Sequence, residues 1–309
     1  MEKIYDMLVI GGGPAGYTAA LYGARAGLDT LVLERMSIGG QMTLTDVIDN
    51  YPGFDQGVDG ITLGMQMQNG AERFGAKTEY AEVIGVELEG KVKKIFTTSG
   101  EFCSKTVVIA TGANPRELGL DGEEDLIGRG LHYCAHCDGR FYRGKTVAVV
   151  GGGNSAVSDA LYLSNLAKQV YLIHRRDTLR ATGVYHKPLQ EAENITFAWN
   201  SRVTDFRMAD GKICGAILQD TLSGETRELT VDGVFVSIGR KPATELFRGV
   251  LELDENGYIV ADETTKTNLP GVFAVGDVRQ KVLRQVVTAV GDGAVAAHFA
   301  EEYLHLAAR

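Results

Sequence analysis

Asp6-Met7-Leu8-Val9-Ile10-Gly11-Gly12-Gly13-Pro14-Ala15-Gly16 decides the fold of this chain. An apolar run reads as a buried strand, the glycines as a tight turn, and the following residues as a helix. A second buried strand, Thr30-Leu31-Val32-Leu33-Glu34, closes the unit. Glycines there let backbone N–H groups approach a pyrophosphate, and the helix N-terminus favours its negative charge. The pattern then recurs without a gap. Thr146-Val147-Ala148-Val149-Val150-Gly151-Gly152-Gly153-Asn154-Ser155-Ala156 leads through a helical stretch to Val170-Tyr171-Leu172-Ile173-His174-Arg175-Arg176. Ala20-Leu21-Tyr22 falls on Ala160-Leu161-Tyr162, and Glu34 on His174. A lone glycine signature is weak, but a strand before and a helix after each copy supply the confirming context. Ala156 in the third glycine position is an accepted variant. The expectation is an α/β protein with two Rossmann-like domains of three-layer ββα type.

The difference between the copies assigns their ligands. Glu34 ends the second strand of the first copy, where a carboxylate accepts from ribose hydroxyls. In the second copy His174, Arg175 and Arg176 take that place, with Arg180 one turn on. Guanidinium forks suit the oxygens of a 2′-phosphate. The first site is therefore expected to hold FAD and the second NADPH rather than NADH, on Gly151, Gly153, Asn154, Ser155 and Ala156 with the basic cluster.

Between the two copies lies Cys134-Ala135-His136-Cys137-Asp138. A Cys-x-x-Cys pair cycles between dithiol and disulfide. Placed between two nucleotide sites, it points to a flavin-dependent disulfide reductase. The other cysteines, Cys103 and Cys214, read as ordinary buried thiols. His132, Cys134, His136 and Cys137 also form a dense cluster, but structural zinc needs a second chelating pair and the chain has none, so no metal is expected. Trp199, His186 and His298 read as packing or surface residues, and Phe141 and Tyr142 as domain packing or a partner contact.

The chain has 309 residues, 44% hydrophobic, with 39 glycines and a formal net charge of −9. That balance gives no electrostatic footprint for nucleic acid. No apolar run reaches membrane-spanning length, and the opening residues lack signal-peptide anatomy, so a cytoplasmic enzyme is expected. Thr106–Ala113 reads as a buried strand ending in a glycine turn, followed by a hinge at Asn114-Pro115-Arg116. Short strands are expected over Ile195–Met208, Ile213–Asp220 and Glu225–Thr230, a buried strand over Gly233–Gly239, and a C-terminal helix from about Gln285 to Leu306. The last segment is too small to stand alone. Residues 1–114 and 244–309 are thus expected to form the FAD-binding domain. The NADPH-binding domain, residues 115–243, is inserted into it. Two such linkers suggest rigid-body rotation.

With these motifs in hand, the chain resembles the bacterial low-molecular-weight thioredoxin reductases over essentially its full length. The matching stretches are Gly11–Gly16, Gly39-Gly40-Gln41, Asn50–Phe54, Ala110–Ala113, Cys134–Asp138, His174–Asp177, Arg180-Ala181, Gly276-Asp277 and Arg284-Gln285. The resemblance implies a homodimer that reduces thioredoxin or a similar small protein. It also implies that Gly11, Gly13, Pro14, Ala15, Gly16 and Glu34 hold the FAD pyrophosphate and ribose. Gly40, Gln41, Asn50, Thr111, Gly112, Gly276, Asp277, Arg284 and Gln285 would line the rest of the flavin site. Cys137 would lie nearer the flavin and Cys134 would attack the partner. Larger relatives carry their cysteines in the first domain, where Gly39–Tyr51 here has none. Two departures stand out: His136, where the family more often has a small or hydroxylated residue, and Asn154, where an acidic one is frequent.

The resemblance further implies that Asp138 is the acid/base that protonates a leaving thiolate. The weaker alternative for Asp138 is a helix N-cap or a turn former before Gly139. Alternatives for the whole chain keep the fold and change the chemistry: ferredoxin as donor, or oxidation of a small dithiol.

Overall fold

The computed structural model describes residues 3–36, 38–45, 47–183 and 186–307; the side chains of Leu44, His186 and Gln190 lie outside the described set. The first glycine-rich unit is realised by β1 (Ile4–Ile10), α1 (Pro14–Arg25) and β2 (Thr30–Glu34). Next come α2 (Gly60–Glu72), β3 (Lys77–Tyr80), β4 (Val83–Glu87), β5 (Lys93–Thr97), β6 (Gly100–Ile109) and the short β7 (Ala113–Pro115). The middle of the chain forms β8 (Leu131–His132), α3 (Ala135–Asp138), β9 (Thr146–Val150), α4 (Asn154–Ser164), β10 (Gln169–Ile173), α5 (His186–Glu191) and β11 (Ile195–Ala198). Then follow β12 (Ser201–Ala209), β13 (Lys212–Asp220), β14 (Thr226–Thr230), β15 (Gly233–Val236), β16 (Arg240–Pro242), β17 (Val272–Ala274) and α6 (Val286–Ala307). Two compact units result: Met1–Asn114 with Lys241–Arg309, and Pro115–Arg240.

In the first unit the sheet order is β3-β2-β1-β6-β5-β4, with β17 also pairing with β6. β6 is long enough to serve two neighbours on one edge, β5 along Gly100–Ser104 and β17 along Val107–Ile109. The central strands β1, β2, β6 and β17 run parallel. Both faces of such a sheet must be covered, so its strands are apolar on both sides. Strand alternation then sorts them. Met7 and Val9 pack with residues of α1, α2 and α6, while Leu8 and Ile10 pack with Phe247, Leu251, Ile259 and Val278 on the other face. Residues Lys241–Ala243 lie with this unit: Ala243 N–H donates to the Gly112 carbonyl at 3.0 Å, and its carbonyl accepts from Thr111 Oγ1 at 2.8 Å.

The second unit repeats the plan. Its parallel sheet has the order β11-β10-β9-β15-β8, and an antiparallel sheet β12-β13-β14 forms a further layer. Val147 and Val149 pack against Ala156, Val157, Ala160 and Leu163 of α4. Ala148 and Val150 pack against Val203, Phe206, Ile213 and Leu218 of the antiparallel sheet. Helix, sheet and sheet are the three layers expected.

Two expectations are corrected. Ile195–Met208 is not one strand: Asn200 adopts a positive φ of 48°, so Ile195–Ala198 completes the parallel sheet and Ser201 opens the antiparallel one. Asparagine tolerates that left-handed conformation better than most residues. Cys214 is exposed rather than buried, because the two-residue period of β13 buries Ile213 and turns its neighbour to solvent. Cys103 is buried.

Candidate active site

β1 ends at Ile10 and α1 starts at Pro14, so Gly11–Gly13 alone make the turn. Proline at the first helical position costs no hydrogen bond there. The start of α1 has no side-chain cap, and the space beside Gly13 is open, with nothing within 4 Å of where a side chain would begin. Orphan N–H groups facing open space are what an anion requires. Gly16 is fixed as glycine by contact: a Cβ there would lie 1.9 Å from the Gly11 carbonyl oxygen. Glu34 accepts the Gly12 N–H at 2.7 Å through Oε2 and the Met36 N–H at 3.0 Å through Oε1. Both oxygens keep a lone pair for ribose hydroxyls.

Other residues expected at the flavin are placed in the same unit. Asn50 Nδ2 donates to Gln285 Oε1 at 3.0 Å, joining positions far apart in the chain. Gln41 Nε2 donates to Asn114 Oδ1 at 3.1 Å, and Gly39 N–H donates to the Gly12 carbonyl at 2.8 Å, which brings Gly40 beside Gly13. Arg284 lies over the Tyr258 ring at 3.9 Å and donates to the Asp277 carbonyl at 3.4 Å.

Sequence reasoning missed the support behind Gly276-Asp277. Asp292 of α6 accepts the Gly276 N–H at 2.9 Å, two guanidinium nitrogens of Arg279 at 2.8 Å each, and Lys281 Nζ at 2.8 Å. Burial alone would push its carboxyl up; the bonds from Arg279 and Lys281 outweigh that and hold it below the usual range. A lone Asp within the small-residue run Gly291-Asp292-Gly293 was the available signal.

The second glycine turn has the same backbone plan: α4 starts without a side-chain cap, and the space beside Gly153 is open. Asn154 Oδ1 accepts the Thr182 N–H at 2.9 Å. What lies beneath the turn differs. His174 is only 6% exposed, and its ring fills the space under Gly152, where a Cβ would come within 2.3 Å of it. Burial lowers its pKa and the guanidinium groups of Arg180, Arg175 and Arg176 add to that, so the ring stays neutral near pH 7. His174 Nε2 is buried without a protein partner. Arg175, Arg176 and Arg180 stand exposed around it. An open helix start, exposed guanidinium groups and an orphaned ring nitrogen fit a phosphorylated nucleotide.

Cys134 and Cys137 form a disulfide across the single turn of α3, with Cα atoms 5.3 Å apart. Cys134 is the N-cap residue, and its carbonyl accepts the N–H of Cys137 at 3.3 Å and of Asp138 at 3.1 Å. Both sulfur-bearing residues are half-buried, and His136 between them is exposed, over the Tyr162 ring at 4.3 Å. Asp138 caps nothing through its side chain. Its Oδ2 pairs instead with His132 Nδ1 at 3.1 Å, and His132 Nε2 meets Tyr142 Oη at 2.7 Å. The cap reading of Asp138 is therefore wrong, and Tyr142 is a buried member of this chain while Phe141 is exposed. Among the described residues no group of three or more His, Cys, Asp or Glu is arranged to hold a metal ion. No described helix is long and apolar enough to cross a membrane.

The sequence profile of the pyridine nucleotide-disulphide oxidoreductases matches residues 5–293. A thioredoxin reductase of Listeria monocytogenes is 47% identical over 98% of this chain and 95% of its own length. One from Bacillus subtilis is 43% identical over 98% and 96%. The crystal structure of a thioredoxin reductase from Streptococcus pyogenes superposes with a TM-score of 0.91 at 42% identity, covering 99% of this chain and all of the other. The chain belongs to the pyridine nucleotide-disulphide oxidoreductase family, among the thioredoxin reductases.

Proposed function

We propose that the protein reduces the disulfide of thioredoxin with electrons from NADPH, that Cys134 and Cys137 are its redox pair, and that Asp138 is the acid/base beside them. The observation that carries this reading is the disulfide across α3, in the unit whose glycine turn is ringed by arginines. Gly11, Gly13, Pro14, Ala15, Gly16 and Glu34 hold the FAD pyrophosphate and ribose. Gly40, Gln41, Asn50, Thr111, Gly112, Gly276, Asp277, Arg284 and Gln285 complete that site. Gly151, Gly153, Asn154, Ser155 and Ala156 hold the NADPH pyrophosphate, and Arg175, Arg176 and Arg180 its 2′-phosphate. His174 supports this site from beneath, since its ring is buried under Gly152. Residues 1–114 and 241–309 would be the FAD-binding domain and 115–240 the NADPH-binding domain, the boundary lying three residues earlier than the sequence suggests.

Bound FAD, reduced by NADPH, supplies the electron pair. Cleavage of the Cys134–Cys137 bond leaves two sulfurs, and one proton added to either leaves a thiol and a thiolate. Cys134, at the N-cap, is the better placed to stay ionised, because the α3 amides favour negative charge there. Its thiolate attacks one sulfur of the partner's disulfide and forms a mixed disulfide. Cys137 then attacks Cys134, restoring the pair and releasing the partner as a dithiol. Asp138 gives the departing sulfur its proton. A homodimer working in the cytoplasm fits this chemistry and the acidic, cysteine-poor composition.

The test is a Cys134→Ser variant. Flavin bleaching by NADPH should persist while thioredoxin reduction is lost. Retained thioredoxin reduction would overturn the assignment of the pair. Sedimentation of the holoenzyme tests the dimer.

A further inference from the structure

His132 is a buried side chain that the proposed electron path does not use. It lies in β8, whose register sets it opposite Phe235 of β15. Its ring stacks on Phe235 with centroids 5.1 Å apart, and Tyr142 meets both rings edge-on at 5.2 and 5.3 Å. This aromatic cage fixes the imidazole plane, so that Nδ1 points to Asp138 and Nε2 to Tyr142. The side chain of His132 is 8% exposed and that of Asp138 15% exposed. Asp138 is thus the opening of the chain to water. Burial, with Asp138 and Asp232 nearby, pushes the Tyr142 phenol up to about 12. Tyr142 therefore keeps its proton, and its hydroxyl serves Nε2 either as donor when that nitrogen is bare or as acceptor when it carries a proton, while Nδ1 faces Asp138. The charged groups facing this cage are Asp138 from α3, Asp232 before β15, and Lys145, whose Nζ lies 5.3 Å from the Tyr142 ring.

We propose that His132 is a positioning residue of the thiol chemistry, acting through Asp138: it pins that carboxyl and stores the proton that the carboxyl hands to sulfur. This rests on Asp138 being the acid/base of the pair. An electron pair enters the Cys134–Cys137 bond, the bond breaks, and one sulfur departs as thiolate. The protonated ring gives its Nδ1 proton to Asp138, Asp138 passes that one proton to the departing sulfur, and His132 is left neutral with its Nε2–H on Tyr142. The Asp138–His132 pair recovers its proton from water after the thiol chemistry is complete. The imidazolium form of His132 also offsets the Asp138 charge beside the sulfurs, which favours thiolate there.

The test uses the holoenzyme with His132→Asn and, separately, Tyr142→Phe. Each protein is reduced with dithiothreitol, freed of it, and alkylated with iodoacetamide across pH. His132→Asn should slow alkylation at pH 7 about tenfold and move its profile up by about one pH unit. Tyr142→Phe should act in the same direction, by about threefold. Thioredoxin turnover by His132→Asn should fall most on the acid side of the profile, where the wild-type ring holds its proton, by about tenfold or more. Wild-type alkylation profiles in the variants, with only a lower melting temperature, would overturn the proposal and leave a structural network. Should His132→Asn not fold, the Tyr142→Phe profile decides alone. If the wild-type enzyme failed to reduce thioredoxin, the functional reading would fall, while the alkylation profiles would still judge His132.

Discussion

Under Gly12 in the first unit lies a carboxylate, and under Gly152 in the second lies an imidazole ring. The two turns are otherwise built alike, with an apolar strand, three glycines and an uncapped helix start. Glu34 is tied by two backbone donors and faces outward with its remaining lone pairs. His174 instead fills the floor, buried and neutral, and the charge in that unit stands around the rim as Arg175, Arg176 and Arg180. On the proposed function, one backbone device would serve two ligands: the glycine turn would bind what nucleotides share, and the residues at and just after the end of the second strand would read where they differ.

The largest break in the comparison should come from Gly16→Ala. Its Cβ would strike the Gly11 carbonyl, so the turn must open; we expect about 3 kcal/mol or more of lost stability and loss of FAD, read by denaturant titration and flavin content. The matching position of the second turn already carries Ala156, and Ala156→Gly should cost only about 1 kcal/mol, as helix propensity does. Equal effects at the two sites would mean the turns are not built differently at this contact.

Replacing Arg175 and Arg176 together by Ala should raise KM for NADPH about 10- to 100-fold and leave KM for NADH nearly unchanged, since only the 2′-phosphate contact is lost. Glu34→Gln should weaken FAD binding about tenfold, measured by equilibrium dialysis, because a neutral amide replaces a charged acceptor. The smallest effect concerns pH. The folded-state pKa of His174 is depressed, so the unfolded chain binds its proton more readily than the folded one. Its stability contribution is complete above the unfolded value, about 6.5, and is lost as pH falls through that value toward the lower folded one. The melting temperature should therefore drop by about 2 °C more between pH 7 and pH 5 in the wild type than in a His174→Gln variant.

Much of this was legible in the chain because its signals are local. The apolar runs, the glycine turns and the residues ending β2 and β10 each sit within a few positions of one another, and local patterns need no tertiary knowledge. The Cys-x-x-Cys pair is legible for the same reason. What was not legible depends on pairing across the fold. The β8–β15 register puts His132 opposite Phe235, and no spacing in the sequence announces that contact. Asp292 meets Arg279 and Lys281 only because α6 packs back on the loop after β17. The break at Asn200 was hidden because strand propensity runs through it, while a positive φ at one residue redirects the chain into another sheet. Cys214 was misjudged because free cysteines are usually buried, whereas its strand period is what decides.

The central claim is that the first turn holds FAD and the second selects NADPH by its arginines. Anaerobic rapid mixing of the flavin-loaded enzyme with NADPH, and separately with NADH, tests it most directly. Fast flavin bleaching by NADPH and slow bleaching by NADH is the predicted result. Equal rates with the two nucleotides, or no bleaching by either, would contradict it.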